Sequence, residues 1–284
     1  MMLSIVVCSV NSVLLNQLDI NIKETIGLPY ELIAIDNRNT SKGVCEVYNE
    51  GLDKAKYDIV CFCHEDIVYN TLNWGTELKW LLDKHNNLGL VGICGARYKA
   101  SCPTPWVSVP QQYYRSNLVQ KDFLETENYK PVLDSGDYSP VVVLDGCFIA
   151  GKRSVFQEYR WNDQLLKGFH LYDMELCFRV GKKYKLGVVN NFTITHLSEG
   201  SFDAKWLSDS EKVHAFYKND LPIKRLVSSK EIAVLEYYAL RSCIARLIKL
   251  KQSKTKTLKF IIELIYRFPF KRGNLNVIKL FVTQ

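Results

Sequence analysis

The decapeptide Tyr57-Asp58-Ile59-Val60-Cys61-Phe62-Cys63-His64-Glu65-Asp66 places an uncharged apolar run directly before three ionisable residues. A run of this kind predicts a strand that is buried on both faces of a largely parallel sheet. Ligands of open α/β sheets bind beyond the carboxyl ends of the strands, so the ionisable residues fall where a site is expected. An Asp at such a strand end can hold a divalent cation, but acids at the start of a loop can also simply be solvated.

Strand and helix patterns alternate on both sides of this stretch. The apolar run from Leu3 to Ser9 predicts a first buried strand, and the second predicted strand ends at Asp36-Asn37. Alternation in units of about 30 residues favours a doubly wound α/β sheet with helices on both faces. The predicted strands are 3–9, 30–35, 57–63 and 88–94, and the predicted helices are 13–25, 41–54 and 72–84.

The second part of the chain is less regular. Residues 100–140 contain five prolines and little periodicity, which predicts a long irregular insertion of the kind usually kept for function. Beyond it we predict a strand over 141–149 that is interrupted at Asp145-Gly146, an acidic helix start within 168–183, and a strand over 186–195 that ends at His196. Residues 1–222 are therefore predicted to form one α/β domain. Residues 223–284, with helices at 230–251 and 257–267, are predicted to form a helical extension.

The composition is that of a protein with a full apolar core. Of 284 residues, 47% are hydrophobic and 24% are charged. The nine cysteines are scattered through apolar runs without a CxxC pair, which favours reduced, buried thiols over a zinc site. The N-terminal segment has no basic region before its short apolar run, and no stretch reaches the roughly 20 apolar residues of a membrane-spanning helix. We therefore expect a cytoplasmic protein.

Charge is distributed unevenly along the chain. Residues 223–284 contain 14 Lys and Arg against three acids, whereas the overall net charge is only +7. The segments 240–251 and 260–268 mix large aliphatic residues with cations, so these helices can lie in an anionic membrane surface at the inner face of the cytoplasmic membrane. Alternatively, they pack on the α/β domain or on a second subunit of a dimer. The tail lacks a nucleic-acid-binding pattern, and we expect no nucleic acid as a partner.

Two later motifs could carry chemistry. Asp173 and Glu175 are two residues apart and point in different directions on a helix, so one can face a substrate while the other packs against Arg179, its i+4 neighbour. Both acids could equally well be a negative helix start favoured by the helix dipole. His196 follows a predicted strand, where it is either a structural residue or an imidazole beside a metal-binding carboxylate.

In this order, the motifs resemble the inverting family-two glycosyltransferases of the GT-A fold. The closest likeness is to a bacterial subgroup in which the usual DXD motif is written His-x-Asp. The resemblance covers most of residues 3–200. Its motifs are Ser4-Ile5-Val6-Val7-Cys8-Ser9-Val10-Asn11, Ile35-Asp36-Asn37, Tyr48-Asn49-Glu50-Gly51, His64-Glu65-Asp66, Leu144-Asp145-Gly146-Cys147-Phe148, Tyr172-Asp173-Met174-Glu175-Leu176 and His196.

The resemblance implies a role for each matching residue. Asp173 would be the general base, and Asp66 with His196 would hold a divalent cation, Mn²⁺ or Mg²⁺. Two positions depart from the family pattern, because His64 replaces the first Asp of DXD and Val10 replaces the aromatic that often stacks on the base. The implied nucleotide-binding residues are Ser9, Asp36, Asn49, His64 and Glu65, and the implied sugar- or acceptor-binding residues are Asp145, Gly146 and His170.

The resemblance also implies an activity, that of a metal-assisted hexosyl- or hexosaminyltransferase in polysaccharide biosynthesis. Such an enzyme moves a sugar from a nucleoside diphosphate donor, here UDP, to a hydroxyl of a glycan or lipid-linked acceptor. A cation stabilises the charge that develops on the diphosphate, and a carboxylate takes the acceptor proton in a single inverting displacement. Two alternatives remain: a nucleotidyltransferase, although residues 9–17 lack a Gly-rich phosphate loop with Lys, and a degenerate sugar- or protein-binding domain, although Asp66 and Asp173 are both present.

Overall fold

The computed structural model describes residues 2–121, 127–198 and 200–283. In the described residues the strands are β1 Leu3–Ser9, β2 Tyr30–Asp36, β3 Ile59–Cys63, β4 Ile67–Tyr69, β5 Leu88–Gly92, β6 Cys94–Ala96, β7 Tyr98–Lys99, β8 Tyr114–Ser116, β9 Leu118–Lys121, β10 Glu127–Tyr129, β11 Tyr138–Val141, β12 Val143–Leu144, β13 Phe148–Lys152, β14 Lys185–Val189, β15 Ile194–His196 and β16 Ile223–Lys224. The helices are α1 Ser12–Thr25, α2 Val44–Lys54, α3 Trp74–Lys84, α4 Arg153–Glu158, α5 Tyr172–Val180, α6 Ala204–Phe216, α7 Ser229–Lys249, α8 Lys254–Arg267 and α9 Gly273–Val282.

A mixed seven-stranded sheet forms the centre of the fold. Its strand order is β11-β14-β5-β13-β3-β1-β2. Strands β1, β2 and β3 are parallel, whereas β13 is inserted antiparallel between β3 and β5. The carboxyl ends of β1 and β3 therefore lie side by side, with Val7 paired to Cys63. The residues that follow these two strands share one edge of the sheet.

Helices cover both faces of this sheet, because successive strand residues point to opposite sides. Along β1, Ile5 and Val7 join a core that includes Leu18 of α1, whereas Val6 joins a core that includes Tyr48 of α2. Gly51 lets α2 approach β1 closely, since a Cβ at this position would overlap Val6 Cγ1. The predicted α/β class, with helices on both faces of a central sheet, is confirmed, and the sheet is mixed because β13 and β11 run antiparallel to their neighbours.

The strand predicted over 186–195 is in fact two strands in different sheets. The central strand β14 ends at Val189, and β15 begins at Ile194 in a small sheet with β9 and β4. Asn117 holds the break open, because its amide donates to the carbonyl groups of Val189, Asn190 and Phe192. The break brings His196 beside Ile67, just beyond the end of β3.

The predicted irregular insertion over 100–140 has more structure than its sequence indicates. It contains a short 3₁₀ helix at Gln111–Tyr113 and the strands β8, β9 and β10, while residues 122–126 lie outside the described residues. Asp134 stabilises this region through ion pairs with Arg97 and Arg115. Strand β9 pairs in parallel with β15, so the insertion forms one side of the region around His196.

The C-terminal region packs onto the α/β body. Helix α7 begins with a capping box between Ser228 and Glu231, and its Leu240 and Ile244 belong to the same core as the central sheet. The buried Glu236 of α7 accepts a hydrogen bond of 2.7 Å from Tyr98 and pairs with Arg267 of α8. Three helices of the described residues were not predicted: the short α4, α6, which is capped by Asp203, and α9. Across the described residues, no helix is both long and apolar enough to cross a bilayer.

Candidate active site

Two adjoining cavities open at the sheet edge where β1 and β3 end. The first cavity, of about 260 Å³, is lined by Cys8, Val10, Leu14, Val44, Tyr48, His64, Glu65, Asp66, Phe169 and Tyr172. The second cavity, of about 440 Å³, is bordered by Asp145, Gly146, His170, Asp173 and His196. The two share His64, Phe169 and Tyr172 as a common wall. Together they have the size of sites that enclose small molecules, which is roughly 300–1,000 Å³.

Three side chains from separate segments form a candidate metal site between the cavities. Asp66 Oδ1 lies 3.5 Å from His196 Nε2 and 3.8 Å from His64 Nδ1. One ligand atom from each of the three lies within 4.8 Å of the others. Burial disfavours charge at both Asp66 and His196, but their mutual attraction outweighs it, so the pKa of Asp66 is lowered and that of His196 is raised.

Tyr172 determines which nitrogen of His64 carries a proton. Its hydroxyl lies 3.2 Å from the carbonyl oxygen of Gly146, which can only accept, and 2.7 Å from His64 Nε2. The single hydroxyl proton goes to Gly146, so His64 Nε2 must be the protonated nitrogen that donates to Tyr172. The unprotonated Nδ1 of His64 then faces the carboxylate of Asp66.

These residues fit a divalent cation. A lone pair on His64 Nδ1 and a carboxylate oxygen of Asp66 face each other across 3.8 Å, and a cation beside two acceptors so placed would be held by both. His196 Nε2 is buried, and its 3.5 Å contact with Asp66 Oδ1 is too long for a well-formed hydrogen bond, so this nitrogen is available to a ligand. The donor set of two imidazoles and one carboxylate is one that binds transition-metal ions.

Asp173 stands in the second cavity, at the start of helix α5. Its Oδ1 accepts a hydrogen bond of 2.8 Å from the backbone N–H of Met174. Burial, reinforced by the negative charge of Asp145, raises the pKa of Asp173 to about 7. A carboxylate with a pKa near the working pH is suited to general-base catalysis, because it is ionised and still binds a proton readily.

Asp145 and Gly146 form the floor beside Asp173. The indole Nε1 of Trp106 donates to Asp145 Oδ2 over 3.1 Å, and the backbone N–H of Cys147 donates to Oδ1 over 3.0 Å. Gly146 is required by the packing of Tyr172, because an added Cβ would overlap the Tyr172 hydroxyl and lie 2.6 Å from its Cζ. The motif Asp145-Gly146 therefore fixes both a carboxylate and the tyrosine between the cavities.

A second cluster of possible metal ligands was not expected from the sequence. Cys94, Asp145 and Cys147 place one ligand atom each within 4.8 Å of one another. The hydrogen bond with Cys94 and burial raise the pKa of the Cys147 thiol well above its usual range, so the thiolate that a metal needs is disfavoured. The carboxylate of Asp145 is also satisfied by Trp106 and Cys147. This cluster is a poorer cation site than the one at Asp66.

Glu65 and Ser9 are bonded to each other. The hydroxyl of Ser9 donates to Glu65 Oε2 over 2.6 Å, and the backbone N–H groups of Val10 and Asn11 donate to Glu65 Oε1 over 3.1 Å and 2.9 Å. Glu65 thus holds the loop between β1 and α1 against the end of β3. Its carboxylate shapes the first cavity by fixing that loop.

Asp36 and Asn49 line neither cavity. The carboxylate of Asp36 is exposed and paired with Arg38 at 2.6 Å, which lowers the pKa of Asp36 to about 2. Its register partner is Ser9, so it stands next to the strand that borders the first cavity. Asn49 is buried and holds the backbone of Trp161 from both sides, over 2.8 Å and 3.1 Å. The structure gives Asn49 a packing role.

The two acids of α5 point in different directions, as their spacing predicts. Glu175 is fully buried, pairs with Arg179 at 2.8 Å, and accepts from Tyr217 over 2.6 Å, so it stabilises the helix from within. Asp173 faces the second cavity. His170 borders the same cavity, with its Nε2 3.9 Å from Asp203 Oδ1.

Sequence reasoning missed the aromatic walls of the site. Phe169, Phe202 and Trp206 line the second cavity together with Trp106. Arg246 of α7 lies over the rings of Phe202 and Trp206, at 4.7 Å and 5.3 Å from their centroids. Phe169 directly precedes the His170-to-Asp173 motif, and this proximity in sequence was the available signal. Trp106 comes from the insertion, Trp206 from α6 and Phe202 from the loop just before α6, and the sequence does not reveal where these segments lie.

Comparisons with known proteins agree with this architecture. The sequence profile described as "Glycosyltransferase like family" matches residues 4–220. The crystal structure of GalNAc-T7 with UDP, GalNAc and Mn²⁺ aligns with 93% of this chain and 55% of that chain, at a TM-score of 0.54 and 11% identity. The structure of S. aureus TarS 1-349 in complex with UDP aligns with 94% of this chain and 89% of that chain, at 0.52 and 10%. Such low identities show a likeness of fold.

This chain thus spans only about half (55%) of the length of the GalNAc-T7 chain. No curated protein sequence matches it significantly. The profile match extends from β1 to the end of α6 and includes every element that borders the two cavities. The predicted resemblance to the family and the predicted fold are both confirmed: the chain belongs to the glycosyltransferase-like family and has the GT-A fold.

Proposed function

We propose that this enzyme transfers a sugar from a nucleoside diphosphate donor, with UDP as carrier, to a hydroxyl of a glycan or lipid-linked acceptor. The observation that carries the proposal is the convergence of Asp66, His196 and Asp173 on two adjoining cavities. A cation site on one side of Tyr172 and a base on the other side are what a donor diphosphate and an acceptor hydroxyl require.

In this proposal the nucleotide occupies the first cavity. Val10, Leu14 and Tyr48 give that cavity apolar walls suited to a base and ribose. Ser9 and Glu65 shape its entrance through the loop they hold. Asp36, the register partner of Ser9, would accept from the base after releasing Arg38.

The proposed cation is Mn²⁺, held by Asp66, His196 and His64. Mg²⁺ prefers oxygen ligands in a strict octahedral arrangement, so two imidazole nitrogens favour Mn²⁺ over it. When bound, the cation supplies positive charge to the diphosphate as the bond to the sugar breaks. The Tyr172 hydroxyl holds the ring of His64 in the orientation that presents Nδ1.

The sugar and the acceptor hydroxyl meet in the second cavity. Asp173, with its pKa raised to about 7, takes the proton of the attacking hydroxyl. Asp145, oriented by Trp106, faces the same space and can accept from sugar hydroxyls, and His170 lies on its rim. The aromatic side chains provide flat apolar surfaces for a sugar ring. A single base opposite the leaving group gives inversion in one displacement.

Titration calorimetry with UDP, with and without Mn²⁺, tests the proposal. We expect Mn²⁺ to tighten UDP binding at least about tenfold in the native protein and in Asp173→Asn, but not in Asp66→Asn. Transfer or hydrolysis of UDP-sugars should be lost in both variants. Asp83→Asn, which changes an exposed carboxylate on α3, is the matched control and should behave as the native protein.

Two results would count against this assignment. If Mn²⁺ leaves UDP affinity unchanged in the native protein, the metal role is wrong. If Asp173→Asn keeps turnover, another group is the base.

A further inference from the structure

Helix α8 has one buried and one exposed set of apolar residues. Ile261 and Leu264 are buried against α7, as expected for a helix packed on a core. Beside them on the helical wheel, Leu258, Ile262, Ile265 and Tyr266 form a second, exposed apolar row, which we call the outer stripe. Their spacing of four, three and one residues places them within one arc of about 100°.

The outer stripe is exposed to solvent. Ile262 is 59% exposed and Tyr266 is 86% exposed, and Phe270, three residues beyond the helix, is 97% exposed. Scattered single apolar residues on a surface need no explanation, but a continuous row on one helix marks an interaction site. Among the described residues, nothing in this chain covers the row.

Cations flank the outer stripe. Lys254 and Lys259 are exposed on either side of it on the helical wheel, and neither forms an ion pair with a described residue. Residues 249–283 contain nine Lys and Arg. The single carboxylate in this range, Glu263, is paired with Arg267 at 3.0 Å. The surface around the stripe is therefore strongly positive.

We propose that the outer stripe, Phe270 and the flanking lysines dock onto the surface of an anionic lipid bilayer. An apolar row bordered by lysines, on a helix whose other side is fixed to the protein, suits a helix that lies in the plane of the interface. Aromatic side chains such as Tyr266 and Phe270 are typical residues of that layer. A second copy of the chain is a poorer occupant, because a two-fold interface would bring the same cations together.

This surface is connected to the site by helix α7. The helix carries α8 on one side, and its Arg246 lies over Phe202 and Trp206 in the wall of the second cavity. Docking on a bilayer would thus hold the acceptor cavity near the lipid surface. The inference goes beyond the proposed function, because it concerns where the enzyme acts.

Co-sedimentation with lipid vesicles tests the proposal without nucleotide, sugar or metal, so it can fail independently of the proposed function. The vesicles are phosphatidylcholine alone, or phosphatidylcholine with about one third phosphatidylglycerol. We expect the native protein to bind the anionic vesicles at least about tenfold more tightly, and less tightly as salt rises.

Three variants locate the contact. We expect Ile262→Ser with Tyr266→Ser to weaken binding about tenfold or more, and Phe270→Ser, at a fully exposed position that cannot disturb the fold, to weaken it several-fold. Lys254→Gln with Lys259→Gln should weaken it by about fivefold per lysine. Leu72→Ser and the pair Lys185→Gln with Lys218→Gln, which lie on other exposed surfaces, are the matched controls and should bind normally.

Either of two outcomes would overturn the proposal. One is a native protein that does not bind anionic vesicles, or that binds them no more tightly than every variant does. The other is a dimer, seen by light scattering, that the Ile262→Ser and Tyr266→Ser changes dissociate, since the stripe would then be covered by a second copy.

Discussion

Replacing Asp173 with Asn should abolish transfer and, in the same protein, stabilise the fold above about pH 7. Asparagine keeps the shape of the side chain and the oxygen that accepts from the N–H of Met174 over 2.8 Å. It removes the negative charge, which burial and Asp145 both disfavour. The same charge that would make Asp173 a base should therefore cost stability in the unliganded enzyme.

The magnitude follows from the pKa of Asp173, which is raised from 3.8 to about 7. A pKa difference of about three corresponds, at roughly 1.4 kcal/mol per pH unit, to an upper limit of about 4 kcal/mol on the stability that the variant gains. Asp173 keeps some contact with water in the open cavity, so we expect about 2 kcal/mol. The folded state of the native protein binds the Asp173 proton more tightly than the unfolded state does. The stability that this proton gives the native protein is fully present below about pH 4 and is lost as the pH rises through about 7, and Asp173→Asn does not suffer this loss.

Urea unfolding of the metal-free protein at about pH 4 and pH 8 measures this effect. We expect Asp173→Asn to match the native protein at the lower pH and to exceed it by about 2 kcal/mol at the higher pH. Asp83→Asn, at an exposed ion pair, should show no such gain. A variant that is less stable than the native protein at pH 8, or equally shifted at both pH values, would refute the reasoning.

Three other predictions follow from the contacts of the site. Tyr172→Phe should lower Mn²⁺ affinity about 10- to 100-fold, as measured by calorimetry, whereas the control Tyr48→Phe on α2 should leave it unchanged. Equal Mn²⁺ affinities in the two variants would contradict the role given to the Tyr172 hydroxyl. Asn49→Ala should cost about 1–3 kcal/mol in urea unfolding and leave UDP affinity unchanged, and weaker UDP binding would return Asn49 to the nucleotide site. The rate of transfer should rise with pH through about 7 as Asp173 loses its proton. Asp145→Asn should move this rise to lower pH, because the charge of Asp145 raises the pKa of Asp173, and an unchanged pH profile would exclude this coupling.

The central sheet could be predicted because its strands have strong sequence signals. Strands β1 and β3 are buried on both faces, so each is a continuous apolar run that ends in polar residues. Placing His64 and Asp66 at a carboxyl strand end followed directly from that pattern. The helical spacing of Asp173 and Glu175 likewise predicted that the two acids point in different directions, and the structure places Asp173 at a cavity and Glu175 in the core.

The remainder depends on contacts between residues far apart in sequence. The insertion is held by Asp134 with Arg97 and Arg115, and a pattern search along the chain cannot detect such a triplet. Tyr172 is one of 16 tyrosines, and only its contacts with His64 and Gly146 distinguish it. Tyr172 is separated from His64 by 108 residues and from Gly146 by 26, so no helix or strand periodicity in the sequence can relate them.

The family motifs also did not show which polar side chains are bonded within the protein. Glu65 stands between His64 and Asp66, yet its carboxylate is bonded to Ser9 and to the N–H groups of the next loop. Asn49 matches a family motif, but its amide holds Trp161. A buried polar side chain must satisfy its hydrogen bonds, and sequence alone does not show whether the protein or a ligand does so.

A crystal structure of the enzyme with UDP and Mn²⁺, with data collected at a wavelength where manganese scatters anomalously, tests the central assignment most directly. We expect one strong anomalous peak enclosed by Asp66, His64 and His196, with the diphosphate beside it and Asp173 facing the free side of the donor site. Manganese or nucleotide bound away from these residues, with the cleft beside Tyr172 unoccupied, would contradict it.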